Sequence, residues 1–261
     1  MSCKQYKKVI NPLFTFIIMF IDVHAHLDIL KNLSDVIDNC KKKNILIVSQ
    51  GVNLKTNKVV LKLTEKYDSV KAAIGLYPDE ILKLNDGEIE EEIKFIEKNK
   101  ENIVAIGEIG LDDSYSDMEK QKEVFEKLVK LAIKINKPII VHSRKAELEV
   151  IEILESLKCK KVIMHCFSGN KKLVERIIKN KWSLSIPTNV KYSLQFQEDV
   201  FLCPIEQLLC ETDSPFLSPD KKFPNTPENV IESYKKIAEI KKLKLDKVER
   251  IIEENYKRLF K

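Results

Sequence analysis

The 261-residue chain is poor in histidine and arginine. It has four histidines, and of its 45 basic residues only Arg144, Arg176, Arg250 and Arg258 are arginine. Glycine is also scarce, at six residues, and a Lys/Glu/Ile-rich chain of this kind fits a thermophile or an AT-rich genome. Six cysteines (Cys3, Cys40, Cys159, Cys166, Cys203 and Cys210) show no CxxC spacing. That excludes a zinc knuckle or a dithiol redox motif and reads as small apolar residues in a reducing cytoplasm. No internal repeat, low-complexity stretch or linker divides the chain. No apolar run is long enough to span a bilayer, which takes about 20 residues. Leu13–Ile21, preceded by Lys4, Lys7 and Lys8, imitates a signal peptide, but no small-residue cleavage site follows it. A membrane partner is therefore not expected. Residues 1–18 read as an extension outside the core, behind a misassigned start, with Met19 the true beginning of the domain. The net charge of +5 is mildly basic and by itself indicates no nucleic-acid partner.

Against these absences stand eight short apolar runs: Phe20–His24, Ile45–Gln50, Val70–Gly75, Ile103–Glu108, Pro138–His142, Val162–Cys166, Trp182–Ile186 and Gln207–Glu211. Continuous Ile/Val/Leu runs of this length are expected of parallel strands buried on both faces. Amphipathic helical segments separate them. The clearest is Asp117–Ile135, whose one face carries Val124, Phe125, Leu128, Leu131 and Ala132, with Ser116 and Glu119 at capping-box spacing. Asn170 precedes another, and Asp246 and Glu249 open the last. Eight strands alternating with helices predict an α/β fold, a single-domain TIM (β/α)8 barrel over 19–261. The Pro-rich loop Ser214–Thr226 follows the eighth strand, on the face where such barrels carry function.

All four histidines, His24, His26, His142 and His165, fall at the C-terminal ends of expected strands, which converge on one mouth. His24 and His26 are two apart, so strand periodicity gives them one face; Asp22 shares it and is expected to orient an imidazole. Glu108 and Asp213 each follow an apolar stretch, where an unpaired carboxylate is costly and a cation would stabilise it. Mixed imidazole and carboxylate ligands suit Zn, Mn, Fe or Mg. Six such side chains exceed the needs of one tetrahedral ion and predict two divalent cations bridged by a carboxylate.

Five stretches carry a resemblance: Phe20-Ile-Asp-Val-His-Ala-His-Leu-Asp28, Ile106-Gly-Glu-Ile-Gly-Leu-Asp112, Val141-His-Ser-Arg144, Met164-His-Cys-Phe-Ser-Gly169 and Glu211-Thr-Asp-Ser-Pro215. In this order they resemble the TatD family of metal-dependent deoxyribonucleases, among the amidohydrolase-like barrels, from Met19 onward. The resemblance implies that His24 and His26 bind one metal together with Asp213. It implies that His142 and His165 bind a second, and that Glu108 bridges the two. It also implies hydrolysis of DNA phosphodiester bonds, often from the 3′ end, by a water activated between two cations such as Mg, Mn or Zn. Asp213 is expected to accept a proton, and Arg144 and Ser214 to hold phosphate oxygens. Two departures bear on substrate. Family members commonly have Gly-x-His-Pro where this chain has Gly75-Leu-Tyr-Pro78, and Arg-Asn-x-Pro where it has Pro224-Asn-Thr-Pro227. Two alternatives stay open: a hydrolase of another ester on the same site (aminoacyl-tRNA or a small phosphate ester), and a non-catalytic binding barrel.

Overall fold

The computed structural model describes residues 19–261; the extension over 1–18, with Cys3 and most of the Leu13–Ile21 run, lies outside the described residues. Among the described residues there are eight strands: β1 Phe20–Ala25, β2 Ile45–Gly51, β3 Val70–Ile74, β4 Ala105–Asp112, β5 Ile139–Arg144, β6 Val162–His165, β7 Ser183–Pro187 and β8 Leu208–Glu211. They pair in chain order, each parallel to the next. The sheet closes on itself where Ala25 bridges Ser214. There the Asp213 N–H donates to the His24 carbonyl at 2.9 Å and the His26 N–H to the Ser214 carbonyl at 2.8 Å. The fold is a single-domain TIM barrel, and its seam runs through three of the six candidate ligand positions.

Helices cover the outside: α1 Leu33–Lys42, α2 Leu54–Lys66, α3 Pro78–Leu82, α4 Asp86–Lys98, α5 Met118–Lys134, α6 Glu147–Ser156, α7 Lys171–Lys179, α8 Leu194–Leu202, α9 Val230–Lys241 and α10 Leu245–Phe260. Each long helix turns one apolar stripe to the sheet; in α5 this is Val124, Phe125, Leu128, Val129 and Ala132, all buried. No helix among the described residues is long and apolar enough to cross a membrane.

Three local expectations need correction. Asp117, not Ser116, caps α5, its carboxylate accepting the Lys120 N–H at 3.1 Å; an ionised acceptor suits a helix N-terminus better than a hydroxyl. Strand β4 begins two residues later than expected and continues four further, to Asp112. Its pairing with β5 slips between Ile106 and Ile109, then resumes at Gly110–His142 and Asp112–Arg144. Glu108 therefore sits inside the strand at an irregularity that re-aims its side chain, rather than at the strand's end. Only glycine fits at 110, where φ is 151° and a Cβ would lie 1.9 Å from the His142 carbonyl oxygen.

A buried amide holds the end of β3. Asn57 of α2 donates from Nδ2 to the Gly75 carbonyl at 2.8 Å and accepts the Gly75 N–H at 3.2 Å. This fixes the chain just before Tyr77. Asn57→Ala leaves the Gly75 carbonyl unpaired in the core, and the expected loss is about 1–3 kcal/mol. Equilibrium urea unfolding measures it; an unchanged midpoint would show that Gly75 finds other partners.

Candidate metal centre

The mouth of the barrel is assembled from five strands. β1 delivers His24, with His26 just beyond its end; β4 delivers Glu108 and Asp112; β5 His142 and Arg144; β6 His165; β8 Glu211, followed by Thr212 and Asp213. All six expected ligand positions meet here, as do several residues that sequence reasoning passed over.

His24 Nε2 and His26 Nε2 are 3.2 Å apart. Each lies 3.4 Å from Asp213 Oδ1 and 3.5 Å from Glu108 Oε2. Four ligands at about 2.1 Å from a tetrahedral cation stand about 3.4 Å from one another. The five measured separations are edges of such a tetrahedron, so the donor set fits a metal ion. The other oxygen of Glu108 faces a second set: Oε1 is 3.0 Å from His142 Nδ1 and 3.8 Å from His165 Nε2. His24, His26 and Asp213 form one cluster able to hold a cation, and Glu108, His142 and His165 another. A third grouping, His24, His165 and Glu211, has similar spacing. Its carboxylate is already engaged, however, by His165, the Cys166 N–H and the Ser185 hydroxyl.

A second layer of carboxylates sets the rings. His142 Nε2 is 3.0 Å from Asp112 Oδ2, and His165 Nδ1 is 2.9 Å from Glu211 Oε2. With those N–H groups donated outward, the hydrogen-bond network assigns the lone pairs of His142 Nδ1 and His165 Nε2 to the Glu108 side. Asp112 is itself held. It accepts the Ser114 N–H at 2.9 Å, and Gln121 of α5 bonds its backbone N–H at 2.9 Å and its carbonyl at 3.2 Å. Tyr77 donates its hydroxyl to Asp112 Oδ2 at 3.2 Å and lies equally far from His142 Nε2. His24 stacks on His165 at 3.7 Å between centroids, and its Nδ1 is buried with no hydrogen-bond partner among the described residues.

Two expectations change. Asp22 orients no imidazole: its carboxylate accepts the N–H of His24 at 3.2 Å and both the N–H and hydroxyl of Thr212, at 3.0 and 2.5 Å. It ties β1 to β8 across the seam. Ser214 is fully buried, and its hydroxyl donates to Thr212 Oγ1 at 2.6 Å. In this arrangement it shapes the seam and presents nothing to a phosphate. Arg144, by contrast, is mostly exposed at the rim, its guanidinium 3.7 Å from Asp112.

The electrostatics match a site built for cations. Burial would raise the Glu108 carboxyl, but the charge of His24 and hydrogen bonds from His142 and His24 hold it well below the usual range. Asp213 is lowered likewise, against its burial, chiefly by His26. Asp112 is brought down to about 2, against burial, by His142 and Ser114. Burial and the charge of His165 lower His24. For the other three rings burial is outweighed by carboxylates: Asp213 and Glu108 raise His26, Asp112 and Glu108 raise His142, and Glu211 carries His165 up to about 10. Lowered carboxylates beside three raised imidazoles mark a site that favours positive charge among its acids.

The fold and site define a class, that of metal-dependent hydrolases built on a TIM barrel. The family described as TatD related DNase matches residues 21–261, and the chain belongs to it. It is 34% identical to an uncharacterized metal-dependent hydrolase of Methanocaldococcus jannaschii, over 94% of this chain and 98% of that one. It is 30% identical to a protein of Homo sapiens named deoxyribonuclease TATDN3, over 92% and 94%. A TatD homologue from Escherichia coli superposes with a TM-score of 0.85 at 26% identity, over 92% of this chain and 97% of that one.

Asp112, Glu211 and Thr212 also meet at the mouth, and sequence reasoning gave them no role. Glu211 had a signal, since it too ends an apolar run, two residues before Asp213.

Two outcomes follow from the geometry. Metal uptake at pH 7 should release at least one proton per chain, because His165 titrates near 10 and His26 and His142 are raised. Affinity should therefore rise with pH. Calorimetry in buffers of different ionisation enthalpy reads the release, and uptake without protons would contradict it. Removing the group that aims His142, by Asp112→Ala, should weaken one metal position about 10- to 100-fold. Metal titration with a chromophoric competitor measures this, and unchanged affinity at both positions would remove Asp112 from the account.

Proposed function

We propose that the chain is a two-metal phosphodiesterase that shortens DNA from its 3′ end. The observation that carries this reading is Glu108, one of whose oxygens faces each cluster of imidazoles. Divalent cations held at both clusters, Zn, Mn or Mg, would acidify a water and neutralise phosphate charge. The chain's own groups do the rest. His24, His26 and Asp213 hold one position and His142 and His165 the other, with Glu108 shared. Asp213, whose side chain is 15% exposed against 4% for Glu108, opens to the cavity and is placed to accept a proton from the attacking water. Arg144 at the rim, mostly exposed and paired with Asp112 only at 3.7 Å, can turn its planar fork to a phosphate oxygen. The human relative named a deoxyribonuclease supports DNA as the substrate.

The test combines metal analysis with end-labelled oligonucleotides. Wild-type protein should carry two cations and shorten strands stepwise from the 3′ end. Exhaustive chelation should abolish this, and resupply of a divalent cation should restore it. Glu108→Ala should retain its circular-dichroism spectrum, hold at most one cation and lose at least several hundredfold in rate. Each tenfold is only about 1.4 kcal/mol of barrier, and two cations without a shared carboxylate repel each other. A folded variant with two metals and near-full activity would show that Glu108 is not the bridge. Rapid cleavage of an aminoacyl ester with no cleavage of DNA would move the chain to the other ester-hydrolase reading.

A further inference from the structure

The cavity over the metal centre, about 580 Å³, has two unlike sides. Above the metal-centre residues, Ile29, Val52, Phe216 and Leu217 form an apolar side, and Asp28, Tyr77, Glu80 and Arg144 complete the lining. Phe216 is 48% exposed and Ile29 53%, and Phe223, 75% exposed, lies beside Phe216 with ring centroids 6.4 Å apart. A single exposed apolar side chain is ordinary, but a row of them leading out of a polar cavity marks a contact surface.

The turn that carries Phe216 is tied down by hydrogen bonds. The Phe216 N–H donates to the Asp213 carbonyl at 2.8 Å. The next carbonyl, that of Leu217, accepts the Thr188 hydroxyl at 2.6 Å, and buried Asn225 donates to Thr188 Oγ1 at 3.1 Å and to the Thr212 carbonyl at 3.0 Å. Asp213 and Leu217 are held in the left-handed region, at φ of 53° and 51°, which aspartate tolerates but which is costly for leucine. The same short turn thus fixes a candidate metal ligand and an aromatic ring together. Further along the loop, Lys221 Nζ lies 4.6 Å above the ring of Tyr192, whose hydroxyl donates to the Ser218 carbonyl at 3.2 Å. The loop after the metal centre thus carries two neighbouring exposed rings, Phe216 and Phe223, and one cation–ring pair.

We propose that Phe216 is the platform of a nucleobase subsite. The unpaired terminal base of the strand stacks on its ring while the adjoining phosphodiester reaches the metal-centre residues, and Phe223 and the Lys221–Tyr192 pair carry the strand outward. This rests on the phosphodiesterase reading and adds to it what is recognised. An occupant must join an anionic, metal-seeking group to a planar apolar one, and neighbouring exposed rings that continue past the cavity fit a repeating polymer better than a small ester. The cavity has the volume that encloses one small ligand, so the end must enter unpaired. Base–aromatic stacking tolerates any sequence, since every base has a π-face.

The experiment uses the metal-loaded full chain and a single-stranded oligodeoxynucleotide ending in 3′-terminal 2-aminopurine, its last linkage a phosphorothioate to slow cleavage. The comparison strand ends in an abasic nucleotide. Wild-type protein should bind the base-bearing end about tenfold more tightly, a difference within the range that stacking supplies. It should also quench 2-aminopurine fluorescence. Phe216→Ala should lose both the preference and the quench, and Phe216→Tyr, which restores a ring, should keep both. Equal binding of the two ends by wild-type protein, or a preference that survives Phe216→Ala, overturns the subsite while oligonucleotide cleavage leaves the phosphodiesterase reading standing. Failure to bind or cleave either strand overturns both.

Discussion

The structure turns on one buried carboxylate. Glu108 lies at the centre of the barrel mouth, with His24 and His26 near one oxygen and His142 and His165 near the other. A carboxylate in such a place is costly unless positive charge surrounds it. Each other feature of the mouth serves to deliver that charge: the strand ends bring four imidazoles within reach, and the slip between β4 and β5 aims the acid at them. The register also shifts between Asp22 and Ala25 on β1, where His24 is presented. Both irregularities fall at candidate ligands, as expected where a side chain must leave the ordinary pleat.

Around this centre the chain uses acids in two different ways. Glu108 and Asp213 face the imidazole nitrogens that point inward. Asp112 and Glu211 take the nitrogens that point outward and thereby decide which lone pair each ring presents. Asp22 belongs to neither group, since it is spent on the backbone of the seam. The seam is itself functional architecture, because the bonds that close the barrel between β1 and β8 run through the backbone of His24, His26 and Asp213. Closing the sheet and setting the site are one event.

Much of this was legible in the sequence, for a physical reason. Parallel buried strands must be apolar throughout, so a histidine or acid at the end of an apolar run is conspicuous. That contrast located the eight strands and showed that His24, His26, Glu108, His142, His165 and Asp213 share one mouth. What depends on partners distant in sequence was not legible. The Asp112–His142 and Glu211–His165 pairs join residues 30 and 46 positions apart and leave no periodic trace. Nor did the burial of Ser214, which follows from the left-handed turn at Asp213 and the hydroxyl of Thr212. The continuation of β4 past Glu108 was hidden because Ile109-Gly-Leu-Asp112 looks like a turn, whereas its glycine is what lets the strand pass the His142 backbone. Tyr77 stood out only as a departure from the family's pattern; its bond to Asp112 gives the substitution a structural role.

The claim on which the account depends is that Glu108 joins two cations. Anomalous diffraction from crystals of the protein loaded with Mn or Zn tests it most directly. The account predicts two peaks about 3.5–4 Å apart, one beside His24, His26 and Asp213 and the other beside His142 and His165, with one oxygen of Glu108 on each. A single peak, or two peaks with Glu108 bound to only one of them, would contradict it.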